Sequence, residues 1–362
     1  LYGRDTVELL YPDREPVGDP IVDNPKGWTF TPTSLDSIPL AWPEELIRIQ
    51  KLEAPTADRG SNNWAVSGAH TTSGAPLLCS DPHLELNLPS IWYIVHLNAP
   101  GINCMGVSLP GAPGVIIGFN DSIAWGVTNA QRDLVDWYKI TFQDTLRKAY
   151  LLDGKWTNIK KVTETIRVRG QDPFYDTVRY THWGPIPYDE TFQGSNDQYA
   201  FRWIAHDPSQ ENLTFYKLNR ARNYDEYMES IRYFSSPAQN FVFASTTGTI
   251  SMNIQGRFPV RRKYEGKFVL DGSKTSSGWQ SYIPFEHSIS HKDPERGFVS
   301  SANQYPADSL YPYYITAVNY EAYRNRRINK VLSYKKNFTI HDMMVLQNDN
   351  YNLKASESLP VF

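Results

Sequence analysis

Chemistry could begin at Ser61, which follows Gly60 and opens the run Ser61-Asn62-Asn63-Trp64-Ala65-Val66. A serine hydroxyl is a weak nucleophile until a neighbouring base takes its proton. On the residues alone, Gly60-Ser61 reads as a flexible turn leading into an alternating strand. Arg324 is picked out by spacing. With Tyr320, Ile328, Val331 and Leu332 it falls on one helix face, while Arg326 and Lys330 point elsewhere. An inward-facing cation requires a partner, in an active site or in a structural ion pair. Asp133-Leu134-Val135-Asp136 sets two carboxylates three residues apart around the Val135 carbonyl. Ca2+ favours hard oxygen ligands of this kind, although a solvated acidic turn has the same composition. Asn129 closes the run Trp125-Gly126-Val127-Thr128, so its backbone N–H is expected at a strand end, or the residue simply turns the chain. Apart from His83, the histidines read as ordinary loop or core residues.

The elements that must hold these groups are mostly strands. Trp64-Ala65-Val66, Pro76 to Cys79, Ile91 to Val95, Met105 to Leu109 and Ile123 to Val127 are short apolar or alternating runs separated by Gly, Pro or Asn. Asp136 to Ile140 and Glu164 to Val168 continue the series, the second with the alternation of a sheet that has one wet face. Residues 208–236 turn helical, centred on Asp225 to Phe234. Strands return at Phe241 to Ala244, Ile250 to Ile254 and Phe298 to Ala302. Helices are predicted at Asn319 to Leu332 and at Thr339 to Gln347, where Thr339-Ile340-His341-Asp342 is a variant capping box. Before Ser61 the sequence is irregular. Pro and Asp recur through residues 11–42, a short helix starts at Pro43, and Lys51 to Gly60 reads as a linker. The order shows no regular βαβ alternation, and no Walker or dinucleotide fingerprint appears.

Bulk properties narrow the class. The 362 residues suffice for one large domain or two with a substantial core. A net charge of −3 argues against a nucleic-acid partner, which usually meets a strongly basic surface. With 40% hydrophobic and 21% charged residues the chain is not of disordered composition. No run of about 18 apolar residues offers a spanning helix, so no membrane partner is expected. The 14% aromatic content suits a β-rich protein with aromatic-lined clefts. Cys79 and Cys104 are the only cysteines, each in an apolar run, and read as buried free thiols or as a disulfide. The chain begins at Leu1, in what reads as a helix end without an initiator Met or a leader, so it is taken as an internal piece of a longer precursor.

Ser61-Asn62-Asn63-Trp64 resembles the start of the β-subunit of the penicillin acylases, a branch of the N-terminal nucleophile hydrolases. Five further stretches carry the resemblance in the family's order: Ser80-Asp81-Pro82-His83-Leu84, Pro110-Gly111-Ala112-Pro113-Gly114, Ile123 to Asn129, Thr181-His182-Trp183-Gly184-Pro185, and Gly297 to Gln304. The resemblance implies an α+β, four-layer αββα fold with large antiparallel sheets. Residues 1–60 would be the end of an α-subunit plus a spacer, and residues 61–362 the N-terminal part of the β-subunit. It implies that the precursor cuts itself before Ser61, whose hydroxyl becomes the nucleophile and whose new α-amine becomes the base. The chemistry suits those groups: a free α-amine titrates near 7.7–8, where a general base is effective.

Further site residues follow from the same resemblance. The backbone N–H of Asn129 and the side-chain amide of Asn303 match the family's oxyanion donors, and Arg324 matches the arginine that positions the site. Read without it, Asn303 caps a loop. His83 matches a position that carries Gln or His beside the nucleophile; in cephalosporin acylases, which carry His, it works with a glutamate much further downstream. Asp133, Val135, Asp136 and Asp308 match the family's Ca2+ ligands, and no organic cofactor is expected. The activity implied is that of an autoprocessed amidohydrolase, acting on carbon–nitrogen bonds other than peptide bonds. Its partners would be a small amide with an apolar acyl group and its own α-subunit. Penicillins, cephalosporin side chains and acyl-homoserine lactones all remain open as substrates, with His83 leaning towards the last two, and the family places such enzymes in the periplasm or outside the cell. The alternative class is a non-catalytic, β-rich binding protein, which would leave the Gly60–Ser61 bond intact.

Overall fold

The alternating runs after Gly60 become two stacked antiparallel sheets in the computed structural model, which describes residues 17–35, 60–84, 86–187, 198–315 and 321–362, with residues 6, 9, 12 and 14 before them. The helix expected at Pro43, the linker from Lys51 to Arg59 and most of the N-terminal helix end lie outside the described residues. The strands of the two stacked sheets are β1 (Gly60–Val66), β2 (Leu77–His83), β3 (Tyr93–Ala99), β4 (Ile102–Ser108), β5 (Ile117–Asn120), β6 (Ile123–Asn129), β7 (Gln239–Ser245), β8 (Ile250–Gln255), β9 (Ser290–Lys292) and β10 (Phe298–Ser301). One sheet has the order β10-β1-β2, the other β9-β8-β7-β6-β5-β4-β3. Smaller sheets stand beside them, one pairing Val135–Lys139 with Tyr199–Trp203.

Period two explains the stacking, because successive residues of a strand face opposite sides. From β1, Ala65 joins the core between the sheets with Val299, Val242, Ala244, Ile250, Met252 and Ile254. Trp64 and Val66 face the other way, onto Ile328, Leu332, Met343 and Leu346. Those four belong to the helices α3 (Tyr323–Tyr334) and α4 (Ile340–Gln347), numbered after α1 (Glu211–Leu218) and α2 (Tyr224–Ile231). On the far side, Trp125, Phe241 and Phe243 turn outward to Phe215 and Leu218 of α1 and to Tyr227 and Ile231 of α2. The result is four layers, helix, sheet, sheet, helix, as expected.

Local signals hold with small shifts. The capping box at α4 is formed, with Thr339 accepting from Asp342 N–H and Asp342 accepting from Thr339 N–H. Strand β3 begins at Tyr93 rather than Ile91 and runs on to Ala99. Helix α3 begins at Tyr323, so Arg324 lies in its first turn; residues 319 and 320 of the predicted helix lie outside the described residues. Cys79 and Cys104 are both free, and burial pushes each thiol up to about 12. Among the described residues no helix is long and apolar enough to cross a membrane.

Candidate active site

Strand β1 places Ser61 at its second position, and the fold surrounds it from three elements. Ser61 is 7% exposed. The β1–β10 ladder runs from Val66↔Phe298 to Asn63↔Ser301, and two more steps would set Asn303 opposite Ser61. It does not continue, because Asn303 has φ +68°, a left-handed conformation that Asn tolerates better than most residues. The turn swings the side chain into the space that the next ladder rung would fill. Asn303 Oδ1 then accepts the Ser61 N–H at 2.8 Å, and Asn303 Nδ2 donates to the Asn129 carbonyl at 2.8 Å. Oγ of Ser61 donates to the Gly60 carbonyl oxygen at 2.6 Å across the bond that cleavage would break. Gly60 and Ser61 are one continuous piece of β1, so the nitrogen of Ser61 is a peptide nitrogen here.

Asn129 sits at the end of β6. Ala130 N–H donates to Ala238 on the β7 side, so by strand alternation the N–H and carbonyl of Asn129 face away from β7. That is the side from which Asn303 approaches the carbonyl. Ser61 and Asn129 are thus joined through the Asn303 side chain at one corner of the fold. Asn240, not singled out from the sequence, braces this corner: its Nδ2 donates to Thr128 Oγ1 and Ser301 Oγ, each at 3.0 Å.

Arg324 reaches in from α3. Its Nη1 donates to the Ser61 carbonyl at 2.9 Å and to Asn62 Oδ1 at 2.7 Å. Its Nη2 donates to Asn303 Oδ1 at 3.0 Å. A planar guanidinium can satisfy three fixed acceptors at once, which an ammonium on a flexible stem cannot hold as well. The inward face of the helix is thus confirmed, and Asn62 appears as an anchor that the sequence reading missed. Alternation carried the signal: Asn62 is the β1 residue facing the helix layer nearest Arg324.

His83 lies elsewhere. It pairs in register with Gly60, and Asp81 with Asn62, so both face the helix layer while Ser61 and its partner Pro82 face the other sheet. His83 Nε2 lies 2.8 Å from Asp81 Oδ2 and 3.4 Å from Asn62 Nδ2. His83 and Asn62 line a cavity of about 380 Å3 with Tyr323, Arg324 and Tyr351. Among the described residues no hydrogen bond joins His83 to Ser61. Its carboxylate partner is local, two residues away on the same face, where the resemblance pointed far downstream.

The expected calcium ligands do not assemble. Asp136 is 2% exposed and accepts from Arg261 Nη1 at 2.6 Å and from Trp279 Nε1. The same guanidinium lies 3.7 Å from Asp133 Oδ2. Burial pushes the Asp133 carboxyl up to about 6 against the pull of Arg261. Val135 N–H donates to Asp133 Oδ1 at 3.1 Å, and Asp308 fastens the N-terminal segment by accepting from Asn24 N–H at 2.5 Å and from Trp28 Nε1 at 3.3 Å. Among the described residues no three His, Cys, Asp or Glu side chains come together to hold a metal ion. Arg261 supplies the positive charge that these two carboxylates need, so the set does not fit Ca2+ as arranged.

The model of the family described as Penicillin amidase matches residues 1–362. The chain belongs to the penicillin amidase family. It is 29% identical over 315 residues to acyl-homoserine lactone acylase QuiP of Pseudomonas aeruginosa, covering 83% of this chain and 37% of that protein. It is 27% identical over 298 residues to penicillin acylase 2 proenzyme of a Pseudomonas species, covering 81% of this chain and 38% of that protein. Among solved structures it is similar to a thermostable penicillin G acylase from Alcaligenes faecalis, with TM-score 0.73 and 22% identity over 83% of this chain and 54% of that one. This member of the penicillin amidase family shares that fold, and it spans under two fifths of the length of these two curated relatives.

Proposed function

We propose that the protein is an amidohydrolase whose Ser61 is freed as an N-terminal nucleophile by cleavage of the Gly60–Ser61 bond. The observation that carries this reading is the hydrogen bond from the Ser61 nitrogen to Asn303 Oδ1, with Arg324 holding the same oxygen. Once the bond is cut, that nitrogen is an α-amine within the same residue as the hydroxyl. It takes the Oγ proton as Oγ attacks a substrate amide carbon, and passes it to the leaving amine. The oxyanion that forms is met by N–H groups of Asn129 and Asn303, and such pre-aimed donors are usually the largest catalytic contribution. Water then hydrolyses the ester.

The relatives named acyl-homoserine lactone acylases support an acyl-homoserine lactone as the substrate, an amide with an apolar acyl chain. The relative named a proenzyme supports maturation by cleavage. On this reading residues 1–60 end one subunit, residues 61–362 begin the other, and the two stay together, in the periplasm or outside the cell. The direct test is to quench a slow amide reaction and map the acyl mass. It should sit on the peptide that begins at Ser61. Steady product formation with no adduct there would refute covalent catalysis by this residue.

A further inference from the structure

We infer that Gly60 marks the acyl side of the site and that Arg324 selects acyl groups unbranched at the carbon next to the carbonyl. The inference rests on Ser61 being the nucleophile.

Maturation and turnover pass through the same kind of ester. In maturation Ser61 Oγ adds to the Gly60 carbonyl carbon. The C–N bond then breaks, the nitrogen keeps the bonding pair and takes up the hydroxyl proton, and the Gly60 acyl group is left on Oγ. Water adds to this ester; its hydroxyl remains on Gly60 as a carboxyl group, and its other proton goes to Oγ as the C–Oγ bond breaks. An amide substrate places its own acyl group on the same oxygen. The first acyl group the site carries is therefore glycyl, and the carbon next to a substrate carbonyl takes the place of Gly60 Cα.

That place has no room for a branch on one side. A Cβ built on Gly60 would lie 2.9 Å from Arg324 Nη2, 3.2 Å from Cζ and 3.4 Å from Nη1. The guanidinium is at the end of a long side chain, yet it is held by Ser61 O at 2.9 Å, Asn62 Oδ1 at 2.7 Å and Asn303 Oδ1 at 3.0 Å. Pushing it aside would release Asn303, whose amide is the proposed oxyanion donor. A branched acyl group should thus lose rate at the chemical step as well as affinity. The clash is chiral, because it concerns only the direction that an L-residue's Cβ takes.

The test uses the processed full-length protein and three amides of one amine, carrying hexanoyl and the two enantiomers of α-methylhexanoyl. The enantiomer whose methyl group takes the Cβ direction should show kcat/KM lower than hexanoyl by roughly a hundredfold or more, mostly in kcat, the loss expected for a displaced donor. Its mirror image should fall much closer to hexanoyl. Gly60→Ala should slow chain cleavage by a comparable factor. Equal rates for all three amides, or cleavage of Gly60→Ala at the wild-type rate, would overturn the inference and leave the amidohydrolase reading standing. Failure to hydrolyse even the hexanoyl amide would overturn both.

Discussion

Asn303 Oδ1 accepts the backbone N–H of Ser61 at 2.8 Å, although 242 residues separate the two in sequence. The contact exists because the β1–β10 ladder stops at Asn63↔Ser301 and Asn303 turns into left-handed backbone. One side-chain amide thereby touches the nitrogen of Ser61, the guanidinium of Arg324 and the carbonyl of Asn129. The consequences below follow from that arrangement.

Asn303→Ala should lower kcat by about 10²–10³, the range for a lost oxyanion donor. Asn129→Ala should do far less, since its proposed donor is the backbone N–H that alanine keeps. Alanine at 303 also bears a left-handed φ, so Asn303→Asp serves as the control: it keeps the acceptor and tolerates that backbone, but lacks the N–H donors. Both Asn303 variants should lose kcat alike in steady-state assays. Equal, large losses at 129 and 303 would mean that the Asn129 side chain takes part.

Arg324→Lys should lower kcat at least tenfold while leaving the fold intact, because an ammonium cannot meet three fixed acceptors in the guanidinium plane. Kinetics together with an unchanged melting profile would check this. Wild-type kcat in the lysine variant would show that charge alone suffices.

His83→Gln should give processed, active enzyme whose rate still rises with pH through the ionisation of the α-amine, near 7.7–8 when unperturbed. The face of the sheet decides this expectation, since His83 and Asp81 point to the helix layer and Ser61 to the opposite sheet. A pH–rate profile of the correctly cut variant checks it. Loss of the acidic limb, or near-complete loss of kcat, would make His83 the base instead of the α-amine.

Asp133→Asn should change how stability varies with pH. Burial raises the folded-state value of this carboxyl to about 6, above its ordinary 3.8. The folded form therefore holds the proton more tightly than the unfolded form. The stability this contributes is fully present below about pH 4 and is lost as pH rises towards 6, by at most about 1.4 kcal/mol per unit crossed. Asparagine removes the dependence, so the wild type should lose stability relative to the variant over that interval. Melting temperatures of both proteins from pH 4 to 7 would show it, and parallel curves would contradict it.

Much of this was legible in the sequence where the signal is local. The run Trp64-Ala65-Val66 marked β1, and Thr339-x-x-Asp342 announced the start of α4. Helical spacing put Arg324 inward. The site was legible through resemblance rather than pattern, because Asn303 does its work by leaving a strand, and no local rule marks where a ladder ends. Asp81 as the partner of His83 could have been read, since i and i+2 in a strand share a face. Arg261 could not: it lies 125 residues from Asp136, and a two-aspartate turn looks the same whether a metal ion or a distant guanidinium balances it.

The central claim, that Ser61 becomes a chain terminus and then the nucleophile, is tested most directly by intact-mass spectrometry of the purified full-length protein beside its Ser61→Ala variant. Wild type should appear as two chains, the second beginning at Ser61, while Ser61→Ala stays whole and inactive. A single uncut wild-type chain with full amidase activity, or efficient cutting of Ser61→Ala in pure solution, would contradict the account.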